Sequence, residues 1–154
     1  MINNNDIVFL TKEGLEKLRA ELEELTKVKR LEIANRIKAA RDMGDISENA
    51  EYDAATQEKS FVEGRINELE EILKNAKVSV IKKDAVYVGS KVTLRVDGEE
   101  EVYHIVGVPE ADPMQRKISH ESPLGAAMLG KKVGDKIAYE APVGNLTYTI
   151  LNIE

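Results

Sequence analysis

The sequence predicts an α+β protein, in which an N-terminal antiparallel hairpin of two long helices precedes a small antiparallel β domain with one short helix. Two long segments with apolar residues at helical spacing flank a short polar turn, which predicts the hairpin. After Lys77 the pattern changes to period-2 alternation with hairpin-turn signals, which predicts the β half. We therefore expect two domains, residues 1–77 and residues 78–154.

Composition limits the classes of function. The chain has 154 residues, of which 42% are hydrophobic and 32% charged, enough for a core plus much exposed helix. Its net charge of −6 argues against a protein whose main task is to neutralise nucleic-acid phosphates, although a partner could itself be a nucleic-acid enzyme. With no cysteine, the sequence excludes a disulfide framework, a thiolate nucleophile and a zinc knuckle.

The N-terminus and the hydropathy pattern predict where the protein works. Residues 1–6 lack the basic and apolar regions of a secretory signal. No apolar run approaches the roughly 20 residues that a membrane span needs. We expect a soluble cytoplasmic protein without a membrane partner.

The first long helix is predicted from about Lys12 to Asp42. Thr11 is a good N-cap, and Leu10 and Leu15 have the spacing of a hydrophobic staple around it. A helix of this length would be about 45 Å long. Its apolar stripe, with the strict heptad broken near Val28, consists of Leu15, Leu18, Leu22, Leu25, Val28, Ile33, Ile37 and Ala40.

The second helix follows after a turn of only a few residues, so the two helices must run antiparallel. Gly44 supplies the backbone freedom that commonly ends a helix, and Ser47 is predicted to cap the next one. Glu48 and Glu51 would then lie in its first turn, where the helix dipole favours negative charge. Its apolar face is predicted to consist of Ala50, Ala54, Ala55, Val62, Ile66, Leu69, Leu73 and Ala76.

The second half reads as strands with one helix. A short strand is predicted at 78–81, and a hairpin at 92–108 turns at Asp97-Gly98. Ser122 is predicted to cap a short helix with Pro123 at its first position. Two final strands, about 136–141 and 146–153, are joined by a turn at 142–145.

The turn between the long helices carries the candidate chemistry. Asp45 and Glu48 are three residues apart, so both could project from the same end of the hairpin. Such carboxylates can complement helix dipoles, act as general bases, or form part of a Mg²⁺ site, because this ion prefers oxygen ligands. Two carboxylates without a pocket are not a complete active site, so another molecule would have to supply the remaining ligands. A purely solvated acidic turn stays open as the alternative.

The stretch from Gly44 to Ala55, GDISENAEYDAA, resembles the tip signature of the bacterial Gre transcript cleavage factors. The resemblance continues through nearly the whole chain in the same order. It includes Thr11–Leu18, Glu63–Ile66, Ile118–Ser119, Ser122–Gly125 and Gly134–Asp135.

This resemblance implies a fold, a partner and a reaction. The family joins an antiparallel coiled coil to a globular domain similar to the FKBP fold. Its members bind the largest subunit of bacterial RNA polymerase and thread the hairpin through the secondary channel to the 3′ end of the nascent RNA. Asp45 and Glu48 match the acidic pair that helps to hold a second Mg²⁺ there, so that a backtracked transcript is cleaved. We therefore expect a monomeric cofactor protein, not an enzyme, that binds no Mg²⁺ in isolation.

The resemblance also assigns supporting residues. Tip support would come from Gly44, Ser47, Asn49, Glu51 and Tyr52, with capping or packing as the alternative role of Asn49 and Tyr52. Contacts to RNA would come from Arg36, Lys38, Arg41 and Lys59, with simple solvated charge as the alternative. Contacts to the polymerase coiled coil would come from Glu121, Ser122 and Pro123, which can equally be a helix cap.

Other functions fit the sequence less well. Prolyl isomerase activity, suggested by the FKBP-like fold, needs an aromatic-lined pocket, whereas residues 78–154 contain no Phe or Trp. His104 and His120 are too far apart in sequence to nominate as a metal site. The remaining alternatives are a paralogue that blocks the polymerase channel without cleavage, a plain coiled-coil interaction module and, least favoured, a free-standing nuclease.

Overall fold

The computed structural model describes residues 7–45 and 47–154. These residues form a hairpin unit, Glu16–Asn75, and a globular unit that combines Ala76–Glu154 with the described residues up to Leu15. The predicted α+β class is confirmed. The division into domains 1–77 and 78–154 stays a prediction. Ile46 of the tip motif and residues 1–6, where no signal peptide was expected, lie outside the described residues.

Two helical arms form the hairpin, and the first four residues of the first arm belong to the globular unit. The first arm contains α1 (Lys12–Glu24), a π-helical segment (Leu25–Lys29) and α2 (Arg30–Asp42), and the chain stays helical through both junctions. The second arm is α3 (Ala50–Lys74). The two arms pack through a core cluster formed by Ile33, Val62 and Ile66. The long helices predicted from the apolar spacing are therefore confirmed.

The π-helical segment lies where the heptad pattern breaks. A strict heptad from Leu15 through Leu25 would place the next apolar positions at 29, 32, 36 and 39. The residues that continue the stripe, Ile33, Ile37 and Ala40, come one position later than 32, 36 and 39. A π turn absorbs one extra residue and so returns both halves of the stripe to one face. Val28, predicted to belong to the stripe, is instead 40% exposed.

The apolar face of α3 follows the prediction in its middle part, but Ala50 and Ala54 near its start are exposed. The buried residues are Ala55, Val62, Ile66, Leu69 and Ile72. Leu73, predicted for this face, is only partly buried. The last step along the stripe is thus three residues rather than four, and both steps are compatible with a 3.6-residue period.

The described residues of the globular unit form seven strands and a short α-helix. The strands are β1 (Val8–Leu10), β2 (Ala76–Val78), β3 (Lys91–Val96), β4 (Glu99–Val106), β5 (Lys117–Ser119), β6 (Lys136–Ala141) and β7 (Gly144–Ile153). β1 and β2 form a small sheet, and the other five form a sheet in the order β5-β4-β3-β7-β6. The helix α4 (Pro123–Met128) packs against this five-stranded sheet.

The central hairpin forms as the sequence predicts. β3 and β4 pair antiparallel from Lys91 opposite His104 to Val96 opposite Glu99. Asp97 and Gly98 have φ angles of 50° and 86°. Positive φ at both central residues is the requirement of a type I′ turn, for which Asp-Gly is a preferred pair. The predicted turn is confirmed.

Two short pairings depart from the predicted antiparallel arrangement. β1 pairs with β2 in parallel, and β4 pairs with β5 in parallel. The strand predicted at 78–81 is wrong, because β2 ends at Val78 and the side chains of Val80 and Ile81 are 74% and 54% exposed. Strands of three residues are too short to show a period-2 pattern, and their partners are distant in sequence.

The core of the globular unit lies between the five-stranded sheet and α4. Its buried residues are Val86, Val92, Leu94, Ile105, Leu124, Met128, Ile137, Tyr148, Ile150 and Ile153. Within the described part of the chain, no helix combines the length and the apolar character that crossing a membrane requires.

Candidate functional site

The side chain of Asn49 forms hydrogen bonds to both arms of the hairpin at the tip. Its Oδ1 accepts a hydrogen bond from the backbone N–H of Tyr52 (3.1 Å), which makes it the N-cap of α3. Its Nδ2 donates to the backbone carbonyl of Ala40 in the last turn of α2 (2.8 Å). One side chain thus satisfies an unpaired group at the end of one helix and at the start of the next.

Ser47, predicted to cap α3, has a different role. The helix begins at Ala50, so Ser47 and Glu48 lie before it and not in its first turn. The backbone N–H and the hydroxyl of Ser47 both donate to Oδ1 of Asp45, at 3.0 and 2.7 Å. The predicted cap is therefore wrong, because Asn49 lies closer to the helix and can bond both arms, while Ser47 orders Asp45.

Asp45 lies fully exposed on the connection between α2 and α3. The two hydrogen bonds from Ser47, that from the backbone N–H first and that from the hydroxyl second, lower the pKa of its carboxyl. The group is therefore an oriented anion at neutral pH. Within the described residues, both bonds go to Oδ1 and none to Oδ2.

Glu48 is the second exposed carboxylate of this connection. Carboxylate oxygens suit a hard cation such as Mg²⁺, so Asp45 and Glu48 fit the chemistry of a magnesium site in part. Among residues 7–45 and 47–154 there is no group of three or more His, Asp or Glu side chains that could hold a metal ion. The tip can thus contribute one or two ligands to a site that another molecule completes.

Gly44 and Tyr52 shape the rest of the tip. Gly44 has a φ of 121° directly after the end of α2, a conformation that suits glycine. The ring of Tyr52 lies 5.8 Å from the guanidinium carbon of Arg41, within the range of a cation–π contact. Arg41, assigned to RNA by the resemblance, therefore also packs on a tip residue.

Three arginines of the hairpin form ion pairs with glutamates of the opposite arm. Arg36 pairs with Glu51 at 2.9 Å and also with Glu58. These carboxylates raise the pKa of Arg36, and the hydrogen bond that Arg36 donates to Glu51 is the largest cause. Glu51, in the first turn of α3, thus supports the tip by binding α2. Two more arginines pair with glutamates across the arms, namely Arg30 with Glu63 and Arg65 with Glu21.

Lys38 and Lys59 differ from these arginines. Both side chains are exposed, and within the described residues neither forms an ion pair closer than 4 Å. Of the four basic residues assigned to RNA, Arg36 is the one that forms ion pairs within the described residues, whereas Arg41 contacts only the ring of Tyr52.

The segment Glu121–Pro123 lies in the globular unit, at the start of α4. Ser122 caps this helix by accepting a hydrogen bond from the N–H of Gly125 (3.1 Å), and Pro123 occupies the first position. The predicted cap is confirmed. The side chain of Glu121 is 71% exposed, so it is available to a partner.

The chain has clear relatives among known proteins. The family model "Transcription elongation factor, N-terminal" of GreA and GreB matches residues 8–78, and the C-terminal model of the same family matches residues 81–154. The transcription elongation factor GreA of Acetivibrio thermocellus is 52% identical over 158 residues, covering 99% of each chain. GreA of Thermoanaerobacter pseudethanolicus is 54% identical over 151 residues, covering 95% of this chain and 96% of its own.

A solved structure is also similar. GreA factor homolog 1, Gfh1, of Thermus thermophilus is 31% identical, with 97% of this chain and 99% of that chain covered and a TM-score of 0.46.

Proposed function

Because the chain belongs to the GreA/GreB family of transcription elongation factors, we propose that it stimulates the transcript cleavage activity of bacterial RNA polymerase. The polymerase is the catalyst, and this protein acts as its cofactor. It works as a monomer in the cytoplasm, where its hairpin enters the secondary channel and its tip reaches the 3′ end of a backtracked RNA.

The hydrogen bonds that fix the conformation of the tip are the observation that supports this function. Asp45 is held by Ser47, and the connection that carries it is fastened by Asn49 to Ala40 and Tyr52. A carboxylate that is oriented before binding loses little freedom when it enters a partner's active site. The same hydrogen bonds also stabilise the hairpin, so substitutions of the carboxylates themselves are the direct test of the function.

The mechanism divides the chemistry between the two proteins. Asp45 and Glu48 would add oxygen ligands for a Mg²⁺ ion shared with the polymerase. Such an ion stabilises the attacking and leaving oxygens in the hydrolysis of a phosphodiester. Asp45 remains anionic because of its lowered pKa, and the exposure of the tip leaves its carboxylate open to the polymerase. Ser47 orients Asp45, and Asn49 fixes the end of the short connection that carries both carboxylates.

The globular unit supplies the binding. Glu121 projects into solvent beside the capped end of α4, where it can contact basic side chains of the polymerase's largest subunit. Ser122 and Pro123 fix the backbone there by capping the helix. We expect substitutions at Glu121 to raise the concentration needed for half-maximal cleavage, while substitutions at the tip lower the maximal rate.

RNA cleavage in a purified, backtracked elongation complex tests this proposal. We expect Asp45→Asn and Glu48→Gln each to reduce stimulated cleavage by roughly 10²-fold, as typical for losing one charge-stabilising group from an active site. Asp42→Asn is the matched control, since Asp42 is an exposed carboxylate that ends α2. Competition binding measures whether each variant still occupies the polymerase.

The outcomes separate the alternatives. Equal cleavage by the wild type and both tip variants would remove the tip from the mechanism. A wild-type protein that slows elongation without stimulating cleavage would be a channel-blocking inhibitor. A protein that does not bind the polymerase at all would be an interaction module with another partner.

A further inference from the structure

The helix α1 begins with an incomplete capping box. Thr11 is the N-cap, and its Oγ1 accepts a hydrogen bond from the N–H of Gly14 (2.9 Å). In a complete capping box, a Glu or Gln at the third helical position accepts a bond from the N–H of the cap residue. That position is Gly14, which has no side chain, so the N–H of Thr11 needs another acceptor.

Glu110 supplies the missing half from a distance of 99 residues in sequence. This residue ends the 3₁₀ turn Val108–Glu110, which follows β4. Its Oε2 accepts from the N–H of Thr11 (2.8 Å) and from the N–H of Gly107 (3.3 Å), and its Oε1 accepts from the hydroxyl of Thr11. The carboxylate also lies at the positive end of the helix dipole of α1.

Two glycines make room for this arrangement. A Cβ atom on Gly14 would lie 2.0 Å from Oε1 of Glu110, so any side chain there would displace the carboxylate. A Cβ atom on Gly107 would lie 1.9 Å from the carbonyl oxygen of Phe9, in β1. Neither glycine has a positive φ, so close approach is the reason for both. We call Thr11, Gly14, Gly107 and Glu110 the base clamp.

We propose that Glu110 is a positioning residue for stimulated transcript cleavage, an inference that rests on the proposed function. It fixes the first turn of α1 to the 3₁₀ turn Val108–Glu110 within the globular unit, and the helical arm that begins there continues to the tip. A helical arm of about 45 Å is a long lever, so a rotation of about 2° at its base moves the far end by roughly 1.5 Å. A displacement of that size can cost about 10²-fold in rate.

The sequence allows capping and positioning to be separated. Glu110→Ala removes both functions of the carboxylate. Adding Gly14→Glu in the same protein creates the local motif Thr-Lys-Glu-Glu, a complete capping box within α1. This double variant caps the helix again but leaves its first turn without a bond to the side chain of residue 110. Glu140→Ala, an exposed glutamate of β6, is the control.

Three measurements are made on each protein: the thermal unfolding midpoint, the maximal rate of RNA cleavage and the half-saturating concentration. We expect Glu110→Ala to lower the midpoint and the maximal rate. The double variant should recover most of the midpoint, since only the weaker bond to Gly107 stays absent, but not the rate. Its maximal rate should stay about tenfold or more below that of the wild type. Its half-saturating concentration should be unchanged, because Glu121–Pro123 is intact. Recovery of both the midpoint and the rate would overturn the proposal, since capping alone would then explain the role of Glu110.

A second readout does not depend on the polymerase. The chain has no cysteine, so spin labels can be attached through Gln57→Cys and Ala138→Cys, both at exposed positions. We expect the distribution of distances between the labels to widen in Glu110→Ala and in the double variant. An unchanged distribution would overturn the positioning role even if the wild type failed to stimulate cleavage. Failure of the wild type to stimulate cleavage would separately contradict the proposed function.

Discussion

The side-chain amide of Asn49 donates to the carbonyl of Ala40 across the end of the hairpin, at 2.8 Å. Ala40 is 2% exposed, so its neighbourhood offers little water to replace a lost bond. A single side chain therefore closes the hairpin and starts its second helix.

Substitutions of Asn49 should separate these two bonds. Asn49→Asp keeps an acceptor for the N–H of Tyr52 but loses the donor to Ala40, whereas Asn49→Ala loses both. We expect Asn49→Ala to destabilise the hairpin by about 1–2 kcal/mol, the usual cost of losing an N-cap together with a partly buried hydrogen bond. Urea unfolding followed by circular dichroism measures this change. Equal stability of Asn49→Ala and the wild type would contradict the bridging role.

The π-helical segment leads to a prediction about chain length. Deleting Lys27 removes the extra residue, so Ile33, Ile37 and Ala40 fall into the strict heptad that Leu15 to Leu25 begin. We expect the deletion to leave the free energy of unfolding within about 0.5 kcal/mol of the wild type, because Lys27 is exposed.

An alanine inserted after Lys27 is the matched control for this deletion. It moves the two halves of the stripe two residues out of phase, which no single π turn corrects. We expect this insertion to cost more than about 2 kcal/mol, since Ile33 and its neighbours would lose their packing. Greater damage from the deletion than from the insertion would show that the segment does not act as a phase correction.

Local patterns were sufficient to predict most of the fold. The apolar spacing predicted both arms, and it also located the break near Val28 where the π segment lies. Asp97-Gly98 and Ser122-Pro123 were predicted correctly because turn and cap chemistry depends on neighbouring residues.

The errors at Val28 and Leu73 come from the phase of the helices, and the other errors come from contacts outside the local pattern. Ser47 and Asn49 are both good caps, and the bond to Ala40 on the other arm favours Asn49. The parallel pairing of β1 with β2 joins segments almost 70 residues apart. Glu110 was missed for the same reason, although glycine at the third position after Thr11 was a visible sign that the capping box was incomplete.

The pKa of Asp45 tests the hydrogen bonds between Ser47 and Asp45 without the polymerase. Because folding lowers this pKa, the hydrogen bonds from Ser47 stabilise the fold above the ordinary pKa of aspartate. That contribution is lost as the pH falls through the lowered value. Ser47→Ala keeps the backbone N–H, the larger cause, and removes the hydroxyl, so we expect the pKa to rise part of the way back. A ¹³C NMR titration of the carboxyl measures it, with Asp42 as an internal control. The same titration curve for Asp45 in both proteins would contradict the hydroxyl contact.

Charge compensation predicts which basic residues contact RNA. Arg36 is paired with Glu51 and Glu58, so Arg36→Ala should mainly weaken the hairpin, seen as a small decrease in the urea midpoint. Lys38→Ala and Lys59→Ala should leave stability unchanged but reduce cleavage at low salt, because their charges are free to attract phosphates. The defect should shrink as potassium chloride is raised toward about 0.5 M, since salt screens exposed charges.

Cleavage rates across a salt series, with urea unfolding in parallel, separate the effect on RNA binding from the effect on stability. A salt-sensitive cleavage defect in Arg36→Ala alone would reverse the assignment, because it would mean that the polymerase complex releases Arg36 from its glutamates.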